Sequence, residues 1–254
     1  MLLFKRILNF TRSSVADSEQ RGAERYPVGP AVQFRATVTL LRHDDHGKPD
    51  PRGRLGPDLA GKVLNLSTLG ASVQLPPDAF AHHGEPCHFK LGLEDYHLDI
   101  TGKVAYFRAY PAHATCGVAF DFDFFEVRKA YLQLLEAVAI GASLAPVRAG
   151  EIKPDATGLD KEVYRGKDGA QLSVWREGPD GDILRFDFRI HDYGVRWSTG
   201  LTELETYAAG RKTAGGELTR AEHEEVSWLF CLAVPNLAKA VQADVRKFLA
   251  ALVG

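Results

Sequence analysis

Residues 61–75, Gly-Lys-Val-Leu-Asn-Leu-Ser-Thr-Leu-Gly-Ala-Ser-Val-Gln-Leu, constrain the fold more than any other stretch. Two apolar strand-like pieces, Lys62 to Leu66 and Ala71 to Leu75, flank a short polar turn and pair across it. Asn65, Ser67 and Gly70 occupy relative positions one, three and six of that turn. The Asn amide can donate and accept on a purine edge, and the Ser hydroxyl does either. Gly70 permits a backbone conformation or a close approach that a Cβ would block. The same residue types also build ordinary turns.

The neighbouring stretches read as more strands. Ala31 to Leu41 alternates Val32, Phe34, Ala36, Val38 and Leu40 with Gln33, Arg35, Thr37 and Thr39, giving one buried face. His43 to Leu59 is rich in Asp, Gly and Pro and reads as a loop. Strand signals follow at Cys87 to Leu93, Tyr96 to Phe107 and Ala114 to Phe122. Asp123 and Glu126 suggest a capping box for a helix with Val127, Tyr131, Leu134, Leu135 and Val138 on its apolar stripe. Strands linked by short turns indicate a barrel or a sandwich rather than a βα repeat.

Upstream, residues 11–24 are small and polar, with nothing to fix them by burial, and read as a flexible arm. Arg21 and Arg25 end this arm, before the extended step at Tyr26-Pro27. Guanidinium groups fork to phosphate and can bond or stack on guanine. Arg-x-x-x-Arg followed by Asn/Asp-x-Ser-x-x-Gly resembles the signature of PilZ domains, bacterial receptors for cyclic di-GMP. The resemblance extends to about residue 145, and Cys116-Gly117-Val118-Ala119-Phe120 resembles the family's closing Gly-Val-x-Phe strand. It implies a six-stranded antiparallel β-barrel with a closing helix. It also implies that Arg21 and Arg25 grip phosphates and guanine, while Asn65, Ser67 and Gly70 hold the other guanine face. The long loop from His43 to Leu59 departs from the family but touches neither motif.

Beyond the barrel, residues 143–160 carry Pro146, Gly150, Pro154 and Gly158 with little apolar pattern, as a linker would. Lys161 to Gly166 and Ala170 to Arg176 flank Lys167-Asp168-Gly169, a hairpin signal, and Pro179-Asp180-Gly181 marks a second turn. Ile183 to Ile190 alternates and turns at His191-Asp192 into Tyr193 to Ser198, completing an antiparallel meander. Three helical stretches are expected last. One is capped by Thr202 and Glu205, the next by Thr219 and Glu222 and broken at Pro235, and the third restarts at Asn236. The fold class is therefore α+β. Residues 1–20 form an amphipathic segment and arm, 21–142 the barrel domain, 143–160 a linker, and 161–254 an α+β domain of unknown role.

Leu3, Ile7 and Phe10 recur at helical spacing, and docking against the body is favoured over a membrane-surface role. The run is too short to span a bilayer, and no secretory-type cleavage site follows it cleanly, so a cytoplasmic location is expected. With 31 basic and 33 acidic residues the net charge is −2, which recruits no nucleic acid. Cys87, Cys116 and Cys231 suit free thiols in a reducing compartment. His82, His83, Cys87 and His88 match no zinc spacing, and His43-Asp44-Asp45-His46 reads as a solvated turn, so no metal is expected. Trp175, Trp197 and Trp228 read as packing residues.

The resemblance favours a non-catalytic receptor that binds cyclic di-GMP, takes no cofactor, rearranges its arm and domains, and acts on a downstream protein. The alternatives are a protein-interaction module that uses the motif for packing and, least favoured, an enzyme with its chemistry in residues 160–254.

Overall fold

A computed structural model describes residues 24–29, 34–93, 96–153, 157–179, 181–209 and 218–253. The chain divides into two compact units, the first running through Leu135 and the second beginning at Glu136.

The first unit contains β1 (Tyr26–Pro27), β2 (Arg35–Leu41), β3 (Leu55–Ser67), β4 (Gly70–Leu75), β5 (Pro86–Leu93), β6 (Tyr96–Ala109) and β7 (Ala114–Asp121). Six of them join antiparallel in the order β3-β2-β5-β6-β7-β4, and β4 pairs back onto β3 to close the barrel. Closure removes the sheet edges that would otherwise present unpaired backbone groups. The barrel core is the inward half of each alternation: Val38, Leu66, Val73, Phe89, Leu91 and Cys116 are each at most 1% exposed. Burial pushes the thiols of Cys87 and Cys116 up to about 12, so both stay protonated and inert at neutral pH.

One sequence expectation for this unit needs correction. The stretch His43 to Leu59 is not all loop, because Leu55–Leu59 opens β3 and pairs with β2 through Leu41↔Leu55 and Val38↔Leu59. Helix α1 spans Phe125–Ser143, and Asp123, just before it, accepts a hydrogen bond from Thr101 Oγ1.

The second unit takes the end of α1 and a six-stranded sheet in strict meander order. Its strands are β8 (Ala145–Pro146), β9 (Asp160–Arg165), β10 (Gln171–Arg176), β11 (Ile183–Ile190), β12 (Tyr193–Ser198) and β13 (Glu205–Ala208). The β9–β10 connection follows the Lys167-Asp168-Gly169 signal, with Asp168 at φ 54° and Gly169 at φ 73°. Phe186 of β11 stacks on Phe230 of α2 (Arg220–Ala233) with ring centroids 5.8 Å apart. Trp175 is buried beneath Lys161 and Arg185, and Trp197 packs on Phe248.

Its C-terminal helices partly overturn the sequence reading. Thr202 and Glu205 cap no helix: Glu205–Ala208 is β13, paired to β12 through Val195↔Thr206 and Gly194↔Tyr207. The short β-branched and aromatic pair Thr206-Tyr207 gains more from that open edge than from a helix with few apolar residues to bury. The Thr219–Glu222 box is present with both reciprocal bonds. Pro235 ends α2 in a 3₁₀ turn, Val234–Asn236, and the last helix, α3, begins only at Ala243 and runs to Val253.

His191 stands at the β11–β12 turn with φ 52° and is bonded through Nε2 to Glu136, which is 2% exposed, at 2.9 Å. That hydrogen bond raises the His191 pKa above 6.5, burial opposes it, and Glu136, Asp168 and Asp192 add favourable charge. A raised folded-state value means the contribution is full below about pH 6.5 and is lost as pH rises through the folded-state pKa. Stability measured by urea unfolding should therefore fall across that interval, and Glu136→Gln should flatten the fall. An unchanged profile in Glu136→Gln would remove the pair as its source.

Candidate functional site

The Asn65–Gly70 region is positioned by the closing edge of the barrel. Ser67 pairs with Gly70, leaving Thr68-Leu69 as the turn between β3 and β4. β1 lies antiparallel on β3, with Tyr26↔Leu66 and Pro27↔Asn65, and this register carries Arg25 to the level of Ser67. Bulges between Val63 and Asn65 in β3, and between Val104 and Tyr106 in β6, bend both walls at this point.

These strands enclose a cavity of about 270 Å³ lined by Arg25, Asn65, Ser67, Gly70, Ser72 and Tyr106, with Leu69, Ala71, Ala105, Gly117, Val118 and Ala119 completing it. Arg25 is exposed, is the one charged residue among the described lining residues, and no carboxylate is among them. Such a cavity suits an anion with a planar ring. Arg21 lies outside the described residues. Of the five sequence-selected residues the structure thus brings together Arg25, Asn65, Ser67 and Gly70.

Gly70 is required for close approach rather than for an unusual conformation. It is absent from the positive-φ residues, but a Cβ there would lie 2.0 Å from the Val118 carbonyl oxygen. Gly117 serves the same purpose for Tyr106, whose ring would lie 2.2 Å from an added Cβ. Tyr106 therefore lies flat on the β7 backbone, its hydroxyl 2.7 Å from Ser72 Oγ and the Arg108 guanidinium 5.7 Å from its ring centre. Sequence reasoning missed Tyr106, Ser72 and Arg108. Nothing in their spacing distinguishes them from other strand residues, and only the β3-β4-β7-β6 order brings Ser72 and Tyr106 to the cavity that Asn65 lines.

Ser67 and the turn are pinned from below. Ser67 Oγ donates to the Gly70 carbonyl at 3.2 Å, and the Tyr131 hydroxyl donates to the Ser67 carbonyl at 2.6 Å. Tyr131 belongs to the apolar stripe of α1, is fully buried against the rings of Phe120 and Phe122, and has its pKa driven well up by burial. It is therefore a neutral donor at neutral pH. Tyr131→Phe leaves the Ser67 carbonyl without that donor, which typically costs about 1–3 kcal/mol. The expected result is a lower unfolding midpoint in urea with weaker occupancy of the cavity. A midpoint equal to that of the parent chain would show that the hydroxyl holds nothing.

No protein-family model matches the chain, and no curated protein sequence matches it. Among solved structures, the chain has a TM-score of 0.34 and 9% identity to the PlzA protein of Borreliella burgdorferi, solved in complex with c-di-GMP, over 87% of this chain and 99% of that one. The apo form of EndoMS gives a TM-score of 0.14 and 14% identity over 66% and 69% of the two chains. At these TM-scores neither likeness bears on the ligand or the fold.

Proposed function

We propose that this chain is a receptor of the PilZ type, which binds cyclic di-GMP at the β3–β4 turn and performs no catalysis. One observation carries the reading: Arg25 and the Asn65, Ser67 and Gly70 set, separated by a whole strand and a long hairpin in sequence, line one cavity. Arg25 would meet a phosphate and stack on or bond a guanine, and Asn65 would read a purine edge. Pockets that hold a whole drug-sized ligand run from about 300 to 1,000 Å³. A cavity of about 270 Å³ therefore accepts part of a cyclic dinucleotide, one base with its neighbouring phosphate.

Calorimetry with cyclic di-GMP tests this directly, because affinity and stoichiometry emerge together. Saturable binding is expected, with linear dinucleotide or GMP much weaker; absence of heat and of retention in equilibrium dialysis would sink the reading. A protein-interaction module is the second reading. It is favoured by the use of the Ser67 hydroxyl and Tyr131 to fasten the turn, which is what a motif kept for packing would do.

The proposed output is a relay to a downstream protein partner. Residues 11–24 carry few apolar side chains, and fixing a residue costs about 1–2 kcal/mol of backbone entropy. Ligand contacts to Arg21 and Arg25 would offset that cost and fix the arm and the apolar residues Leu2 to Phe10 attached to it. Amide exchange around these arginines should slow on adding cyclic di-GMP, with protection reaching the first ten residues or residues 143–160. Slowing confined to the cavity residues would mean binding without the relay.

A further inference from the structure

The two histidine-rich stretches of the first unit meet in space, although neither has metal-binding spacing alone. His43, at the base of the β2–β3 hairpin, is fixed by its backbone bridge to Pro49. His82 and Glu85 come from the connection between β4 and β5, where the Val104 amide donates to the Glu85 carbonyl at 2.8 Å. The other candidates there and at the start of β5 are committed elsewhere. Cys87 faces the core, His83 Nδ1 bonds the Ala105 carbonyl at 2.8 Å, and His88 faces Asp99 at 3.7 Å.

We propose that His43, His82 and Glu85 form a binding site for a first-row divalent transition ion, with zinc as the reference case. One ligand atom from each lies within 4.8 Å of the others. That bound puts some point within about 2.8 Å of all three, so closure to bonds of about 2.0–2.2 Å needs shifts of under about 1 Å. His43 Nε2 and Glu85 Oε1 are already 2.9 Å apart, within about 0.7 Å of the roughly 3.3–3.6 Å between neighbouring ligands of a tetrahedral ion with such bonds. Here the imidazole proton occupies the place that an ion would take.

The surroundings hold these groups in place. Glu85 Oε2 accepts the His82 backbone N–H at 2.8 Å, which orients the carboxylate as outer partners do around bound metals. The side chains of His43 and Glu85 are 8% and 11% exposed, while His82 is exposed and its Nε2 lies 3.4 Å from the Gly47 carbonyl oxygen, a long contact that an ion would replace. Phe80 stands edge-on to both imidazoles, at 5.0 Å from His43 and 4.8 Å from His82, and shields one side. Two imidazoles and one carboxylate suit zinc, nickel or copper better than magnesium or calcium, and leave a fourth position for water. An ion here would clip the long β2–β3 hairpin to the β4–β5 connection.

The test titrates zinc into the metal-stripped full chain by calorimetry, with the visible spectrum of added cobalt(II) as a second readout. One saturating equivalent is expected, with cobalt bands of a four- or five-coordinate site. Removing the supporting partner of a metal ligand typically costs about 10–100-fold in affinity, and losing a ligand costs no less. His82→Ala and Glu85→Gln should each weaken zinc at least that far, whereas His113→Ala, which removes a ring stacked on Tyr110, should not. His82 is exposed, so its replacement leaves the fold in place even if Glu85→Gln loosens the hairpin. No saturable equivalent, full affinity in His82→Ala, or equal loss in His113→Ala would each overturn the site. None of these readouts involves the nucleotide.

Discussion

Arg25→Ala should lose roughly ten- to a hundredfold in affinity for cyclic di-GMP while its melting temperature stays where it was. The loss follows from removing a charge-assisted hydrogen bond, typically about 1.5–3 kcal/mol. The unmoved melting temperature follows from the position: Arg25 is exposed and meets the cavity from outside the barrel ladder, one residue before the two-residue strand β1. Arg21→Ala is expected to behave alike on the strength of the Arg-x-x-x-Arg spacing. Lysine should rescue either position poorly, because it keeps the charge and loses the planar fork. Calorimetry on the folded variants gives the answer. Near-parental affinity in Arg25→Ala would remove the arginine from the site.

Gly70→Ala should damage fold and binding together. The added methyl would sit 2.0 Å from the Val118 carbonyl oxygen, which is main chain and has no rotamer to retreat into. Relief requires parting β4 from β7 at the Gly70↔Ala119 pair, next to the seam where β3 and β4 close the barrel. Overpacking of this kind typically costs about 1–3 kcal/mol. Each kcal/mol lowers the melting temperature of a domain this size by about 4 °C. Parting these strands also displaces Ala71, Val118 and Ala119 of the cavity wall, so affinity should fall even in the molecules that remain folded. Leu69→Ala, at a turn residue 52% exposed, is the control and should melt nearly as the parent does. Equal melting curves for Gly70→Ala and Leu69→Ala would mean that the close approach does not exist.

The strands were largely legible because most carry a one-sided alternation, and a period of two cannot be mistaken for a helix once five or six residues agree. Ile183 to Ile190 was readable to the residue, and so was the capping box at Thr219 and Glu222. Glu205–Ala208 was not. Thr202 and Glu205 offer the same box in letters, but four residues on an unfilled sheet edge gain a ladder of hydrogen bonds that the local spacing does not register. The start of α3 was misread because the residues after Asn236 make a turn before the apolar stripe of Val245 and Leu249 begins.

At the candidate site the sequence by itself offered side chains whose chemistry suits phosphate and a purine, and a glycine within the turn. It left open whether Gly70 serves conformation or approach. Only the tertiary structure decided for approach, because the obstructing atom belongs to Val118, forty-eight positions along the chain. The same holds for Tyr131, legible as one more apolar stripe residue, whose hydroxyl acquires a purpose only when α1 lays it against the Ser67 carbonyl. His43, His82 and Glu85 follow this rule as well, since two loops that look solvated in sequence converge only after the barrel has closed. Local patterns are written in neighbouring residues, whereas contacts across strands depend on register and order, and these are set by the whole barrel at once.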